Sequence, residues 1–191
     1  MADVGSTRRR LLVGIAGVGV AGAAGCLAGD EREGRDDAPA DSIDLDGREC
    51  DACGMVIGEA YGVAGQLFYA DGKPEDPPAR FDSVVELVTY HEERRDRGWE
   101  LREAFVADCS RVDYDLETRE GERYVTTHAA DDAFADATEL RYVVDSGVRG
   151  AMGPAFVPFS DGDDAAAFAD EHGGEVVGWD ELPDAARSAS R

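Results

Sequence analysis

The stretch from Cys50 to Met55 combines residue types that bind soft metal ions. It reads Cys-Asp-Ala-Cys-Gly-Met and so places two thiols and a thioether close together. Sulfur ligands of this kind select Cu(I) over hard cations. Cys53 and Met55 are two positions apart, a spacing that puts both side chains on one face of an extended chain. The pattern predicts a Cu(I) site on Cys53 and Met55, with Cys50 either as a further ligand or as a disulfide partner that protects Cys53.

Two other uses of a cysteine pair fit the sequence less well. A structural zinc site needs four ligands, whereas the chain has no second Cys-x-x-Cys and its three histidines lie far apart. A thioredoxin-type pair lies between a strand and the start of a helix, whereas Cys53 leads into a strand-like apolar segment. Cys109 stands apart from the pair, and we interpret it as a small buried hydrophobe.

The N-terminus carries the features of an export signal. Three consecutive arginines precede an uncharged apolar run that ends at Gly25, a run too short for a comfortable membrane span. The arginines favour twin-arginine export. The run ends Ala-Ala-Gly-Cys, which resembles a lipobox, so we expect residues 1–25 to form a twin-arginine lipoprotein signal peptide and Cys26 to be lipidated. An ordinary cleaved signal peptide that leaves a free thiol is the alternative.

The remainder of the chain divides into a tether, a folded domain and a tail. Residues 26–47 are rich in charge and poor in apolar side chains, a composition that cannot offset the entropy of ordering the chain. We therefore expect a flexible acidic tether there. Residues 48–182 are numerous enough to form one compact domain with its own core, and residues 183–191 are predicted to be a disordered tail.

The charge balance is strongly acidic. The chain has 42 Asp and Glu against 19 Lys and Arg, a formal net charge of −23, and Lys73 is its only lysine. This balance is typical of a high-salt environment, where the Debye length is about 3 Å at 1 M and self-repulsion is screened. Nucleic-acid binding is excluded as a function, because such a chain would repel phosphate.

Two similar series of elements predict an α+β fold made of two ββαβ-like modules. The strands are predicted at residues 55–57, 62–69, 104–107, 155–159 and 175–179, with further strands at 124–127 and 140–144. Helices are predicted after Phe81–Asp82, where Ser83 and Glu86 have capping-box spacing, and over residues 165–171. In the second series Met152 takes the place that Met55 has in the first, and it is either a ligand facing the same cleft or a core residue.

These motifs, in this order behind a lipoprotein signal, resemble the NosL family of nitrous oxide reductase accessory lipoproteins. The matching segments are Cys53–Met55, Gly62–Tyr69, Phe81–Asp82, Val106–Asp108, Ala151–Pro154 with Phe156 and Phe159, and His172–Val176. The resemblance implies a duplicated ββαβ domain shared with an organomercurial-lyase-like domain. It also implies a copper chaperone, not an enzyme, that is anchored outside the cytoplasmic membrane. Its cargo would be Cu(I), and the recipient would be nitrous oxide reductase or its assembly and ABC-transporter complex.

Other functions remain open on the sequence alone. A thiol oxidoreductase or a carbon–metal lyase could use Cys50 and Cys53, with Asp82 and Asp108 as the candidate acid or base. A scaffold lipoprotein could hold the same two cysteines in a structural disulfide. Our main hypothesis is that Cys53 and Met55 hold Cu(I), that Cys50 and Met152 are further candidate ligands, and that one ligand is exchangeable.

Overall fold

The computed structural model describes residues 41–189, and within this range the chain has a mixed α+β fold with three sheets and three α-helices. The predicted signal peptide, Cys26 and most of the predicted tether lie outside the described residues. Within residues 41–189, no helix is both long and apolar enough to cross a membrane.

The first sheet carries helix α1 (Val84–Asp96), which supports the cysteine-rich segment. Its strands are β1 (Gly65–Tyr69), β2 (Ala79–Phe81), β3 (Leu101–Ala107) and β6 (Phe134–Asp136). They lie in the order β2–β1–β3–β6 and pair antiparallel. Helix α1 (Val84–Asp96) follows β2 and begins at Ser83, whose hydroxyl accepts a hydrogen bond from the Glu86 amide. The helix buries Val84, Leu87 and Val88, which lie on one face at helical spacing.

The second sheet repeats the order of elements found in the first. It comprises β10 (Val157–Phe159), β7 (Arg141–Val144) and β11 (Glu175–Val177), with helix α2 (Gly162–His172) between β10 and β11. In both sheets the earliest strand is central and pairs antiparallel with the next strand and with the strand after the helix. The strand–strand–helix–strand order thus occurs twice among the described residues, but not with the predicted strands. Strand β2 was not predicted, and β7, predicted to lie between the two series, is the first strand of the second. The relation to an organomercurial-lyase-like domain stays a prediction.

A third sheet lies beside the two repeats. Its strands are β4 (Leu116–Arg119), β5 (Glu122–Val125), β8 (Val148–Gly150) and β9 (Gly153–Pro154), in that order, with β5 and β8 parallel. Next to it, the Gly62 amide donates to the Val125 carbonyl at 3.0 Å and the Ala151 amide donates to the Tyr61 carbonyl at 2.8 Å. The turn that contains Met152 is therefore fixed against residues 61 and 62.

The prediction of a strand over Met55–Ile57 is wrong. This segment makes only one isolated bridge, between Glu49 and Val56, and β1 pairs with β2 instead. The segment is flanked by Gly54 and Gly58, whose φ angles of +75° and +94° turn the chain out of the extended conformation. Because Met55 precedes the first strand of its repeat while Met152 lies between the first two strands of the other, the two methionines are not equivalent in the repeat.

Both predicted domain boundaries also need correction. Residues 43–47, assigned to the tether, are part of the fold: Leu45 is fully buried, and the backbone of Ile43 forms two hydrogen bonds with the Gln66 side chain, each 3.0 Å long. The disordered tail is wrong for residues 183–189, because helix α3 (Leu182–Ala189) packs on α1 and buries Leu182 and Ala186.

Replacing Leu45 tests whether the segment before the cysteines supports the fold. Because Leu45 is 0% exposed, Leu45→Ala should lower the free energy of unfolding by about 2–5 kcal/mol, measured by urea denaturation. Asp41→Ala, at an exposed position just before it, is the control and should leave stability unchanged. Equal stability of the two variants would contradict the assignment of this segment to the folded domain.

Candidate metal centre

The cysteine pair lies in a tight turn. The Gly54 amide donates to the Cys50 carbonyl at 2.9 Å, and the Cys50 amide donates to the Met55 carbonyl at 2.8 Å. Gly54 adopts a φ of +75°, in the left-handed region that glycine enters at low cost. Cys50, Cys53 and Cys109 are free thiols. Cys50 is buried and Cys53 half-buried, so the turn presents both pair thiols toward the protein interior.

Backbone hydrogen bonds dock this turn on strand β2. The Asp51 amide donates to the Arg80 carbonyl at 2.8 Å. In return the Arg80 amide donates to Asp51 Oδ2 at 2.7 Å. Strand β2 ends at Phe81, so the residue that follows it, Asp82, comes directly opposite the cysteines.

Two carboxyl groups complete a four-residue cluster. Cys53 Sγ donates to Asp82 Oδ2 and Cys50 Sγ donates to Glu86 Oε2, both at 3.5 Å. One potential ligand atom from each residue lies within 4.8 Å of the other three. Asp82 is only 1% exposed, and its Oδ1 has no hydrogen-bond partner among the described residues. A buried carboxylate oxygen without a partner is costly, and a bound cation would satisfy it.

The protonation of the cluster follows from its burial. Burial raises the pKa of Cys50 well above its ordinary value and raises that of Cys53 as well. Burial, together with the neighbouring carboxyl group of Asp82, raises the pKa of Glu86 to about 7. A cation that enters must displace the thiol protons. Neutral thiols are poor nucleophiles, so the arrangement suits metal binding better than thiol redox catalysis.

The two predicted methionine ligands occupy different positions near the cluster. Met55 is half-buried at the end of the cysteine turn, but the extended chain that the sequence argument assumed is absent there. Met152 is 60% exposed. It lines an open groove of about 490 Å³ together with Asp51, Ala52 and Glu86. The groove therefore reaches the cluster through Glu86 and carries a thioether on its wall, while the role of either methionine as a ligand stays a prediction.

The sequence reasoning assigned neither Asp82 nor Glu86 to the metal site. It named Asp82 only as a candidate acid or base of the alternative enzyme and Glu86 only as part of a capping box. Ser83 caps the helix as predicted, but the Glu86 side chain turns toward Cys50, and Asp82 lies just before the cap, outside the helix. Cys109 is 7% exposed and packs in the core, as predicted, and it is not a member of the cluster.

Because Gly62 has no side chain, the backbone carbonyl of Asp82 can lie close against it. A Cβ at Gly62 would lie 2.5 Å from the Asp82 carbonyl oxygen, and the φ of Gly62 is +136°. Gly62→Ala should therefore both destabilise the protein and displace Asp82, which thermal unfolding and metal titration would detect. Gly72→Ala is the matched control, because Gly72 also has a positive φ of +63° but open space around it. Equal metal binding by both variants would contradict this role of Gly62.

Three comparisons relate the chain as a whole to known proteins. The NosL family model matches residues 43–187. The chain is 31% identical over 140 residues to the copper-binding lipoprotein NosL of Stutzerimonas stutzeri, a match that covers 73% of this chain and 64%, less than two thirds, of that protein. The crystal structure of the copper chaperone NosL from Shewanella denitrificans superposes with a TM-score of 0.59 at 29% identity. That match covers 74% of this chain and 93% of the other.

Both relatives are named for copper rather than for a catalysed reaction. The family model covers most of the chain, including the whole four-residue cluster. On this match and these identities, the chain belongs to the NosL family.

Proposed function

We propose that this protein is a chaperone that carries Cu(I), bound at the cluster of Cys50, Cys53, Asp82 and Glu86. The observation that carries the proposal is the convergence of two thiols and two carboxyl groups within 4.8 Å, in a family whose named members bind copper. Cys53 and Cys50 would supply thiolate sulfur. Met55 and Met152 would supply thioether sulfur, and Asp82 would balance the charge of the ion from its buried position.

The choice of Cu(I) rests on donor softness, not on ligand number. The sequence argument against zinc relied on missing ligands, but Asp82 and Glu86 add two carboxylates to the two cysteines, and zinc accepts such a set. Thiolates and thioethers favour Cu(I), and both relatives are named for copper. Titration with zinc beside Cu(I) is therefore part of the test.

The open groove supplies a route for transfer. Glu86 belongs both to the cluster and to the groove lining, and the exposed Met152 lies on the same lining. A donor side chain of an acceptor protein that enters the groove could approach the ion while the cysteines still hold it. The ion would then move by ligand exchange without entering solvent.

The family suggests a place of action and a recipient, and the acidic charge balance suggests a high-salt setting. We propose that Cys26 is the lipidated first residue of the mature protein and that the domain works on the extracytoplasmic face of the membrane, in a high-salt organism. The recipient would be nitrous oxide reductase, at its copper–sulfide centre, or the assembly and ABC-transporter complex of that enzyme. The S. stutzeri relative is itself named a lipoprotein, which supports the anchor.

Removing sulfur ligands should abolish tight Cu(I) binding. Cys53→Ser and Met55→Ala should each lower the affinity in an anaerobic competition titration with a chromogenic Cu(I) chelator. For Cys53→Ser the loss should exceed the roughly 10–100-fold typical of changes outside the first ligand shell. Cys109→Ala is the control, because it removes a buried thiol that lies outside the cluster. Unchanged affinity in both Cys53→Ser and Met55→Ala would eliminate the site, and tighter binding of zinc than of Cu(I) would reassign the cargo.

Removing the exposed thioether should slow transfer more than it weakens binding. Met152 lies on the groove wall rather than in the buried cluster, so Met152→Ala should reduce the rate at which a competing chelator extracts Cu(I), measured by stopped flow. Val176→Ala removes the other exposed large apolar side chain of the described residues and serves as the control. Equal extraction rates for the two variants would remove Met152 from the transfer route.

A further inference from the structure

We propose that Arg80 is a positioning residue for the metal centre, which acts through Asp51 to hold the cysteine turn at a fixed distance from Asp82. The inference rests on the proposed function, since the turn matters only if it binds a metal ion. Arg80 lies on β2, outside the four-residue cluster.

The side chain of Arg80 joins two loops. It is only 12% exposed. Its Nε donates to Asp51 Oδ2 at 3.3 Å, and its Nη2 donates to Asp76 Oδ2 at 3.1 Å and to the Asp76 carbonyl at 3.4 Å. The fork of donors in a guanidinium can serve two such partners at once, whereas a lysine offers one point charge.

Asp51 transmits the effect to the ligands. Its Oδ2 accepts from both the amide and the Nε of Arg80, and its own amide donates to the Arg80 carbonyl. Asp51 directly follows Cys50, and Arg80 lies two positions before Asp82. One residue pair therefore aligns the segment that supplies the thiols with the segment that supplies the carboxylate.

Burial of Cys50 anchors one end of the turn in the core, and hydrogen bonds hold the rest of it. Asp51, Ala52 and Gly54 are exposed, so packing restrains them weakly. The ion pair between Arg80 and Asp51, 3.3 Å long, restrains this exposed part of the turn against β2. Pre-organised ligands lose less entropy on binding, so loss of the pair should appear as weaker binding.

The test compares Cu(I) binding by Arg80→Ala, Arg80→Lys and Asp51→Asn with binding by the unaltered protein. We expect Arg80→Ala to weaken Cu(I) by about 10–100-fold, the range for partners that orient metal ligands, with faster dissociation and a changed thiolate-to-copper absorption in the ultraviolet. Arg80→Lys should restore little, and Asp51→Asn combined with Arg80→Ala should weaken binding no further than Arg80→Ala alone. Arg95→Ala removes the same charge from an exposed ion pair on α1 and should bind as the unaltered protein does.

Each result decides the inference. Full recovery in Arg80→Lys would mean that only charge matters and would overturn it. So would normal affinity and an unchanged spectrum in Arg80→Ala, even if thermal unfolding showed a loss of stability. If the unaltered protein bound no Cu(I), the proposed function would fail and this inference with it. If the unaltered protein and all three variants bound Cu(I) equally well, this inference alone would be overturned.

Discussion

The site depends on placing two thiols and two carboxyl groups together, largely out of water. Four acidic groups cannot all ionise at such short range without a compensating cation. Burial favours their protonated forms: it raises the pKa of both thiols and, with the neighbouring Asp82, brings that of Glu86 to about 7. A cation that binds such a cluster releases these protons. The proposed site would therefore retain a metal ion only if the sulfur–metal bonds are strong enough to offset that cost.

Helix α1 makes this concentration of acidic groups tolerable. Asp82 and Glu86 flank its first turn, where the unpaired amides and the helix dipole favour negative charge. Ser83 caps the helix through the Glu86 amide, which leaves the Glu86 side chain free to turn toward Cys50. The same short segment thus starts the helix and supplies two of the four groups.

The sequence predicted an α+β fold and helix α1, because the helix has local signals in its capping serine and its apolar spacing. Residue types alone singled out the cysteine pair, and the predicted repeat used other strands than those observed. The sequence did not predict that Asp82 and Glu86 contact the thiols, since that contact depends on β2 pairing with a turn 29 residues away in the chain.

The strand predicted over Met55–Ile57 failed for a related reason. Apolar residue types favoured an extended chain, but the flanking glycines and the docking of the turn on β2 determined its conformation. Short apolar runs are ambiguous in this way. Helix α3 was missed because its burial comes from tertiary packing, on α1 and on the turn at residues 179–181.

The repeat explains why a symmetric fold contains an asymmetric site. In the first module Phe81 ends β2, Asp82 follows, and Ser83 caps α1; in the second, Phe159 ends β10, Ser160 follows, and Asp161 caps α2. The position of the buried carboxylate is thus a serine in the second module. There the Ser160 amide is bound by Asp108, a buried residue that also accepts from the Ser110 amide and pairs with Arg111. The second junction is closed by hydrogen bonds that hold the fold together, whereas at the first an oxygen of Asp82 is left without a partner beside two thiols. Asp108 Oδ2 also lacks a hydrogen bond among the described residues, but it lies 3.2 Å from Arg111 Nε, so an arginine already balances the charge at the second junction. The bare oxygen of Asp82 faces two thiols instead, and this difference is why we propose the metal centre for the first module only.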